Sequence, residues 1–411
     1  VLSLIKLLFF IFPSFAQLAN YNSILLGDRS AGMGGAGTAL LEDASSGAFF
    51  NPATLAMSES STLSAAVGIY KKYDTQYGSE SDYTQTPFKI NTGFFRSLPA
   101  STGSMIRKEG WTFGLSILVP EYETFKGDLQ STTANTSTLT YLDESLWVGG
   151  MLSRKTSASE SWGLTLYYTA RNFNRSIQDR TYPNTSEAIL YSSEETVTEN
   201  SIVPIIGYLK KHESGWLLGS SLRLRGIAVA SDATFFENRT TTNPYSSSEV
   251  NQLNLKTDVF IPAKISIGAS KVVNNYLEIA MTADLYEGRS YSFIDLPSKG
   301  TYVVRQAIAN FSIGSEWTFK DWLKLRSGIF TNISPYPDPD PTLKKYQGEH
   351  IDQAGFSANL VFIADNKIAY TFGGYYSGGR GRAIERINQD FEVVTKSQHI
   401  FTMLVGTHFY F

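Results

Sequence analysis

From Ser61 to Phe411 apolar and polar positions alternate with a period of two, the signature of strands rather than helices. Trp162, Leu164, Leu166, Tyr168 and Ala170 share one face, and Gly163, Thr165, Tyr167, Thr169 and Arg171 share the other. Leu218, Leu222 and Leu224 alternate in the same way with Gly219, Ser221, Arg223 and Arg225, and Leu277, Ile279, Met281, Ala283 and Leu285 with Glu278, Ala280, Thr282 and Asp284. Any antiparallel sheet contains a few such strands. Their number and length here point to an all-β, transmembrane antiparallel β-barrel of about fourteen strands.

The predicted strands are 61–71, 88–98, 110–119, 142–154, 161–172, 199–211, 215–230, 252–271, 276–287, 304–319, 322–333, 351–363, 366–377 and 398–411. Short turns at 155–160, 212–214, 272–275, 320–321 and 364–366 alternate with long polar stretches at 172–199, 230–250, 334–350 and 378–397. Short periplasmic turns and long extracellular loops are the habit of outer-membrane barrels. Trp111, Trp147, Trp162, Trp216, Trp317 and Trp322 lie near predicted strand ends, where interfacial girdles belong; burial in a core is the structural alternative. On the last strand Phe401, Met403, Val405, Thr407, Phe409 and Phe411 share a face. An aromatic Phe411 closing such a strand resembles the signal read by the bacterial barrel-assembly machinery, an expected partner.

Composition agrees. Charged residues make up 18% of the 411, below the roughly 25% usual for soluble domains, while aromatics reach 13%. Lipid-facing apolar and lumen-facing polar side chains on the same strands produce that balance. A net charge of −3 gives no electrostatic reason for a nucleic-acid partner. There is no cysteine, and the four histidines, His212, His350, His399 and His408, are scattered without metal-ligand spacing, so neither a metal nor a cofactor is expected. Residues 1–16 read as a signal peptide: Lys6, an apolar run over 7–12 too short to span a bilayer, and Ser14-Phe15-Ala16 as a cleavage site.

The segment 17–60 is different in kind, rich in Gly and Ala, and is expected to form a hatch inside a barrel of residues 61–411. Gly32, Gly34 and Gly37 formally match a dinucleotide-binding glycine pattern, but no βαβ unit follows and the match is rejected. Glycines such as Gly34 and Gly35 instead permit close backbone packing in a narrow space. Asn51-Pro52 imposes an extended or turn conformation at Asn51.

The run A-G-M-G-G-A-G-T-A-L, the following D-A-S, and F-F-N-P-A-T-L-A resemble the N-terminal region of the FadL/TodX family, outer-membrane transporters of long-chain fatty acids and aromatic hydrocarbons. Asn51, Pro52 and Ala53 match that family's hatch motif, and 325–337 followed by 356–362 resembles its strand–loop–strand segment near the C-terminus. The resemblance implies a plugged fourteen-stranded barrel in the bacterial outer membrane. Through it hydrophobic small molecules pass without an energy source, past a hatch moving around Asn51, either downward or sideways through the wall. It also implies an apolar pocket with a basic residue that meets a carboxylate. By alternation alone the lumen candidates are Arg171, Arg223, Arg225 and Lys264, with Lys324 and Arg326. Glu278, Asp284 and Glu316 fall on the same side, so a purely structural ion-pair network is the alternative for each.

Other classes of function keep the fold. An outer-membrane phospholipase or protease would need a nucleophile set, and His350 beside Asp352 and Glu349 has no accompanying G-x-S-x-G; the chain is not expected to be an enzyme. A shuttle barrel of the type IX secretion system and a general porin are the remaining alternatives.

Overall fold

A computed structural model describes residues 20–41, 44–58, 60–77, 88–131, 135–184, 186–258, 260–296, 299–343, 347–365, 367–387 and 390–411. The predicted signal segment 1–16 lies outside the described residues. Three short helices come first: α1 (Arg29–Gly32), α2 (Ala44–Phe50) and α3 (Ala53–Met57). The strands that follow are β1 (Thr62–Tyr77), β2 (Phe88–Lys108), β3 (Trp111–Ser131), β4 (Asn135–Lys155), β5 (Glu160–Asn184), β6 (Glu187–Lys211) and β7 (Leu217–Arg223). After them run β8 (Ile227–Thr242), β9 (Tyr245–Leu255), β10 (Lys264–Asn274), β11 (Leu277–Tyr286), β12 (Arg289–Leu296) and β13 (Lys299–Arg305). The chain ends in β14 (Ile308–Lys320), β15 (Leu323–Asn332), β16 (His350–Asp365), β17 (Ile368–Ile387) and β18 (Asp390–Tyr410).

Fourteen of these close into an antiparallel barrel. β1 to β7 pair in order, then β10, β11 and β14 to β18, and β18 returns to β1. The other four form two hairpins. β8–β9 takes over β6 above residue 202, while β7 pairs with β6 from 205 to 211. β12–β13 is a separate two-stranded sheet, bridged to the segment after β9 at Thr257 and Ile294.

The outward face explains the composition. Phe113, Leu115 and Ile117 on β3, Leu164 and Leu166 on β5, Ile265 and Ile267 on β10, Phe311 and Ile313 on β14, and Phe401 and Met403 on β18 are all exposed. A contiguous apolar belt of this size has no place in water, where burial of apolar area is worth about 25 cal/mol per Å². It is the lipid-facing surface of a transmembrane barrel. Trp162, Trp317 and Trp322 stand exposed beside the short turns at its periplasmic rim.

Several expectations need correction. The predicted loops 172–199 and 378–397 are mostly strand, and β5 and β6 each run 25 residues. Above the membrane neither face meets lipid, so the apolar alternation that marks a strand fades there. The stretch 215–230 breaks at Gly226, whose amide bonds Ile261 O, and 252–271 breaks across Pro262. The stretch 304–319 breaks at Gln306, whose amide leaves the sheet for Pro335 O. Trp147 is not a girdle residue. It points inward, packs on Phe49 and Tyr167, and donates to Ser145 Oγ (2.8 Å).

Candidate functional site

Residues 20–41 and 44–58 occupy the lower lumen, and nearly every side chain of α1, α2 and α3 is buried. After α1 the chain reverses through Gly34 (φ 70°) and Gly35 (φ 87°), a conformation that costs other residues free energy. Gly34 N donates to Ser357 Oγ (2.9 Å), and a Cβ on Gly34 would lie 2.9 Å from Ile329 O. The wall is hollowed to match. Gly314 and Gly328, directly opposite on β14 and β15, receive Met33, and Gly163 and Gly207 on β5 and β6 receive Pro52 and Asn51. Hatch and barrel thus touch backbone to backbone.

Asn51 is fully buried and acts as a rivet. Its Nδ2 donates to Thr38 O (2.8 Å) within the hatch and to Tyr208 O (3.0 Å) on β6, while its Oδ1 accepts from Ala53 N (3.1 Å). Pro52 has no amide and starts α3, and Ala53 O accepts from Ser161 Oγ on β5 (2.8 Å). On the opposite side Arg29 reaches Glu278 on β11 (2.5 Å) and Glu316 on β14 (3.2 Å). Glu316 also receives Lys324 (3.1 Å) and Arg326 (2.7 Å), and Arg326 reaches Asp28 of the hatch (3.4 Å).

Above the hatch the predicted cations separate. Arg223 on β7 and Lys264 on β10 are register partners and are both buried. They face an aromatic box: Arg223 lies 5.8 Å from the rings of Phe49, Trp147 and Tyr286, and Lys264 lies 5.2 Å from Phe49 and 5.7 Å from Tyr286. Lys264 pairs with Asp284 (3.3 Å), which also accepts from Ser266 Oγ. Arg223 donates Nε to Pro262 O (3.3 Å), and among the described residues no carboxylate pairs with it. Two cations against one carboxylate leave a positive centre inside an apolar box. Arg171 is higher and already bidentate with Asp143 (2.7 and 3.0 Å), with Glu121 at 3.0 Å. Arg225 is not in the lumen. β7 ends at Arg223, the alternation stops, and Arg225 pairs with Glu287 at a half-exposed position. Lys324 and Arg326 belong to the hatch clasp.

The wall itself has a gap. β2 and β3 pair from 101 to 108 against 111 to 118; beyond that, among the described residues, β2 stays on β1 and β3 stays on β4. Register shifts fall at this level on β1 (Gly68/Tyr70), on β2 and on β3 (Leu118/Glu121). Pro99 and Pro120 stand at the point of parting and have no amide to donate across it. A narrow cleft sits there between Ala100 and Val119, lined also by Ile24 of the hatch. Trp147 pairs in register with Leu118, so the aromatic box and the gap share a boundary. An aromatic cluster including Tyr141, Phe173, Phe235, Tyr291, Phe293 and Tyr336 fills the lumen nearer the extracellular side.

Sequence reasoning missed Arg29, Trp147 and the gap. The two prolines inside otherwise regular strands were the available signal for the last.

No protein-family model matches the chain, and no curated protein matches its sequence. Solved structures do match in fold. A Pseudomonas aeruginosa FadL homologue aligns over 95% of this chain and 99% of its own at 14% identity, with a TM-score of 0.66. The P. putida toluene transporter TodX aligns over 96% and 99% at 13% identity (TM-score 0.65). The monoaromatic hydrocarbon channel CymD aligns over 95% and 99% at 14% (TM-score 0.61). With its lipid-facing belt and a hatch inside a closed fourteen-stranded wall, the chain has the FadL/TodX fold and is a barrel of the bacterial outer membrane.

Proposed function

We propose that this barrel takes up hydrophobic compounds across the outer membrane, long-chain fatty acids foremost, by passive movement and without catalysis. The observation that carries the reading is the box around Arg223 and Lys264. A buried, uncompensated positive centre is costly, and a ligand carboxylate seated among Phe49, Trp147 and Tyr286 removes that cost. Neutral hydrocarbons, the ligands of the toluene transporter TodX and the monoaromatic hydrocarbon channel CymD, would use the rings without the charge. Each buried methylene contributes about 0.8 kcal/mol, so a long acyl tail supplies on the order of 10 kcal/mol gross. A charge-assisted hydrogen bond adds about 1.5–3 kcal/mol. Apolar contact therefore sets affinity, and the cations orient the head group. The filled lumen, hatch below and aromatic cluster above, favours this reading over an open porin.

Native mass spectrometry of detergent-purified protein, with lipid extraction, tests it: a stoichiometric fatty acid is the expected finding, and a barrel that neither carries nor binds added fatty acid would refute it. Arg223→Met with Lys264→Met is expected to weaken fatty-acid binding about ten- to a hundredfold while leaving toluene binding unchanged. Equal loss for both ligands would assign the cations a structural role.

Asn51→Ala orphans the buried carbonyl of Thr38, at about 1–3 kcal/mol, and removes the tie to Tyr208 O on β6. Uptake is expected to fall with the barrel still folded, as judged by heat-modifiable migration on gels. Unchanged uptake would remove Asn51 from the gating step.

A further inference from the structure

The gap between β2 and β3 is lined mainly by Gly68, Ala100, Val119, Tyr122, Tyr375 and Leu404, and one charged side chain reaches it, Lys71. It lies just past the bulge in β1, where Lys71 pairs with Thr402, between the outward Phe401 and Met403 of the lipid-facing belt. Lys71 is buried (4% exposed). Its ammonium makes a long bond to Tyr122 O (3.4 Å) and stands 4.8 Å from the ring of Tyr73. Among the described residues no salt bridge closes on it, and the carboxylate whose charge acts on it is Glu123. Glu123 faces the same space from β3, and its Oε2 is buried without a hydrogen-bond partner. Lys396, the neighbouring cation, is already paired with Glu349.

An ammonium carries three donors and no acceptor. Here one donor is weakly used, against an apolar cleft and with the facing Glu123 closing no salt bridge to it. A neutral hydrocarbon crossing this gap gains nothing from Lys71. A ligand ending in a carboxylate can take its free donors while the tail stays against Val119, Tyr375 and Leu404.

We infer that Lys71 is a specificity-determining residue of the wall gap, selecting for passage those hydrophobic ligands that bear a carboxylate. The inference rests on the transport reading above and assigns Lys71 a step separate from equilibrium binding at Arg223 and Lys264. Lys71 acts on ligand in transit through the wall, whereas the aromatic box holds ligand at rest.

The test compares uptake of laurate and of its neutral methyl ester into proteoliposomes containing the full-length protein, for the wild type, Lys71→Met and Lys71→Arg. Methionine fills the volume but leaves the buried Glu123 Oε2 without its nearby cation, so folding is checked by heat-modifiable migration and Lys71→Arg is the charge-keeping control. Lys71→Met is expected to slow laurate uptake about tenfold, the equivalent of one charge-assisted hydrogen bond. The methyl ester should change less than about twofold, Lys71→Arg should keep laurate uptake, and laurate binding to detergent-solubilised protein should be unchanged. A parallel fall for laurate and ester, or no change in either, would overturn the assignment while leaving wild-type transport standing. Wild-type protein that carries neither compound would overturn the transport reading, and this inference with it.

Discussion

Gly328→Val will unseat the hatch and open a water path through the barrel. A side chain at Gly328 collides with the backbone of Met33 and Gly34, and one at the facing Gly314 collides with Met33 as well. No flexible side chain stands at either point to move aside. The Gly34–Gly35 reversal cannot adapt either, because both residues already hold positive φ and Gly34 is pressed against Ile329 O. Overpacking of this kind costs about 1–3 kcal/mol per site, and every 1.4 kcal/mol is a factor of ten in an equilibrium. The unseated fraction should therefore rise roughly ten- to a hundredfold for Gly328→Val, and further with Gly314→Val added. The readouts are single-channel conductance in planar bilayers and the sensitivity of expressing cells to a large hydrophilic antibiotic. Gly150→Val is the control, since nothing lies within 4 Å of a Cβ added there. If both glycine variants leave conductance and sensitivity at the control level, the close seat does not hold the hatch.

What the sequence could reveal followed from where lipid is. Thirteen of the fourteen barrel strands were legible across the bilayer, because there one face of each strand must be apolar; β2 was read as 88–98, whereas the part paired with β3 is 101–108. The extensions of β5, β6, β17 and β18 above it were not, because Thr, Ser, Glu and Arg can face either lumen or water at little cost. Lys71 shows the limit residue by residue. Alternation from the outward Leu63 would place it in lipid, and the bulge between Gly68 and Tyr70 turns it inward. Arg223 and Lys264 were legible as lumen residues, but not as neighbours, since a long insertion carrying β8 and β9 separates them in sequence. Arg225 failed for the complementary reason, that its strand had already ended. The Asn51-Pro52-Ala53 motif marked the hatch, but its partners Thr38 and Tyr208 lie at ranges that local pattern cannot report.

Arg29→Met should loosen the hatch from the opposite side, and a second substitution should partly restore it. Glu278 and Glu316 are directly opposite on β11 and β14, an arrangement of like charges that destabilises a sheet. Lys324 and Arg326 approach Glu316 from β15. The cation that touches both carboxylates is Arg29, which comes from the hatch and also donates to Leu41 O (3.0 Å). The wall therefore has an electrostatic fault that the seated hatch repairs. Losing one partner of a buried pair costs about 3–5 kcal/mol; the Arg29 side chain is 11% exposed and Glu278 16%, so the lower end applies. Hydrogen exchange across 28–41 should speed up by about two orders of magnitude in Arg29→Met, while the barrel strands stay protected. Adding Glu278→Gln removes the like-charge repulsion that Arg29 had screened, and should recover part of that loss, a coupling that a double-mutant cycle reads directly. If Glu278→Gln instead adds its own independent destabilisation to that of Arg29→Met, Arg29 is one contact among many and the hatch is held by the glycine seat and Asn51 alone.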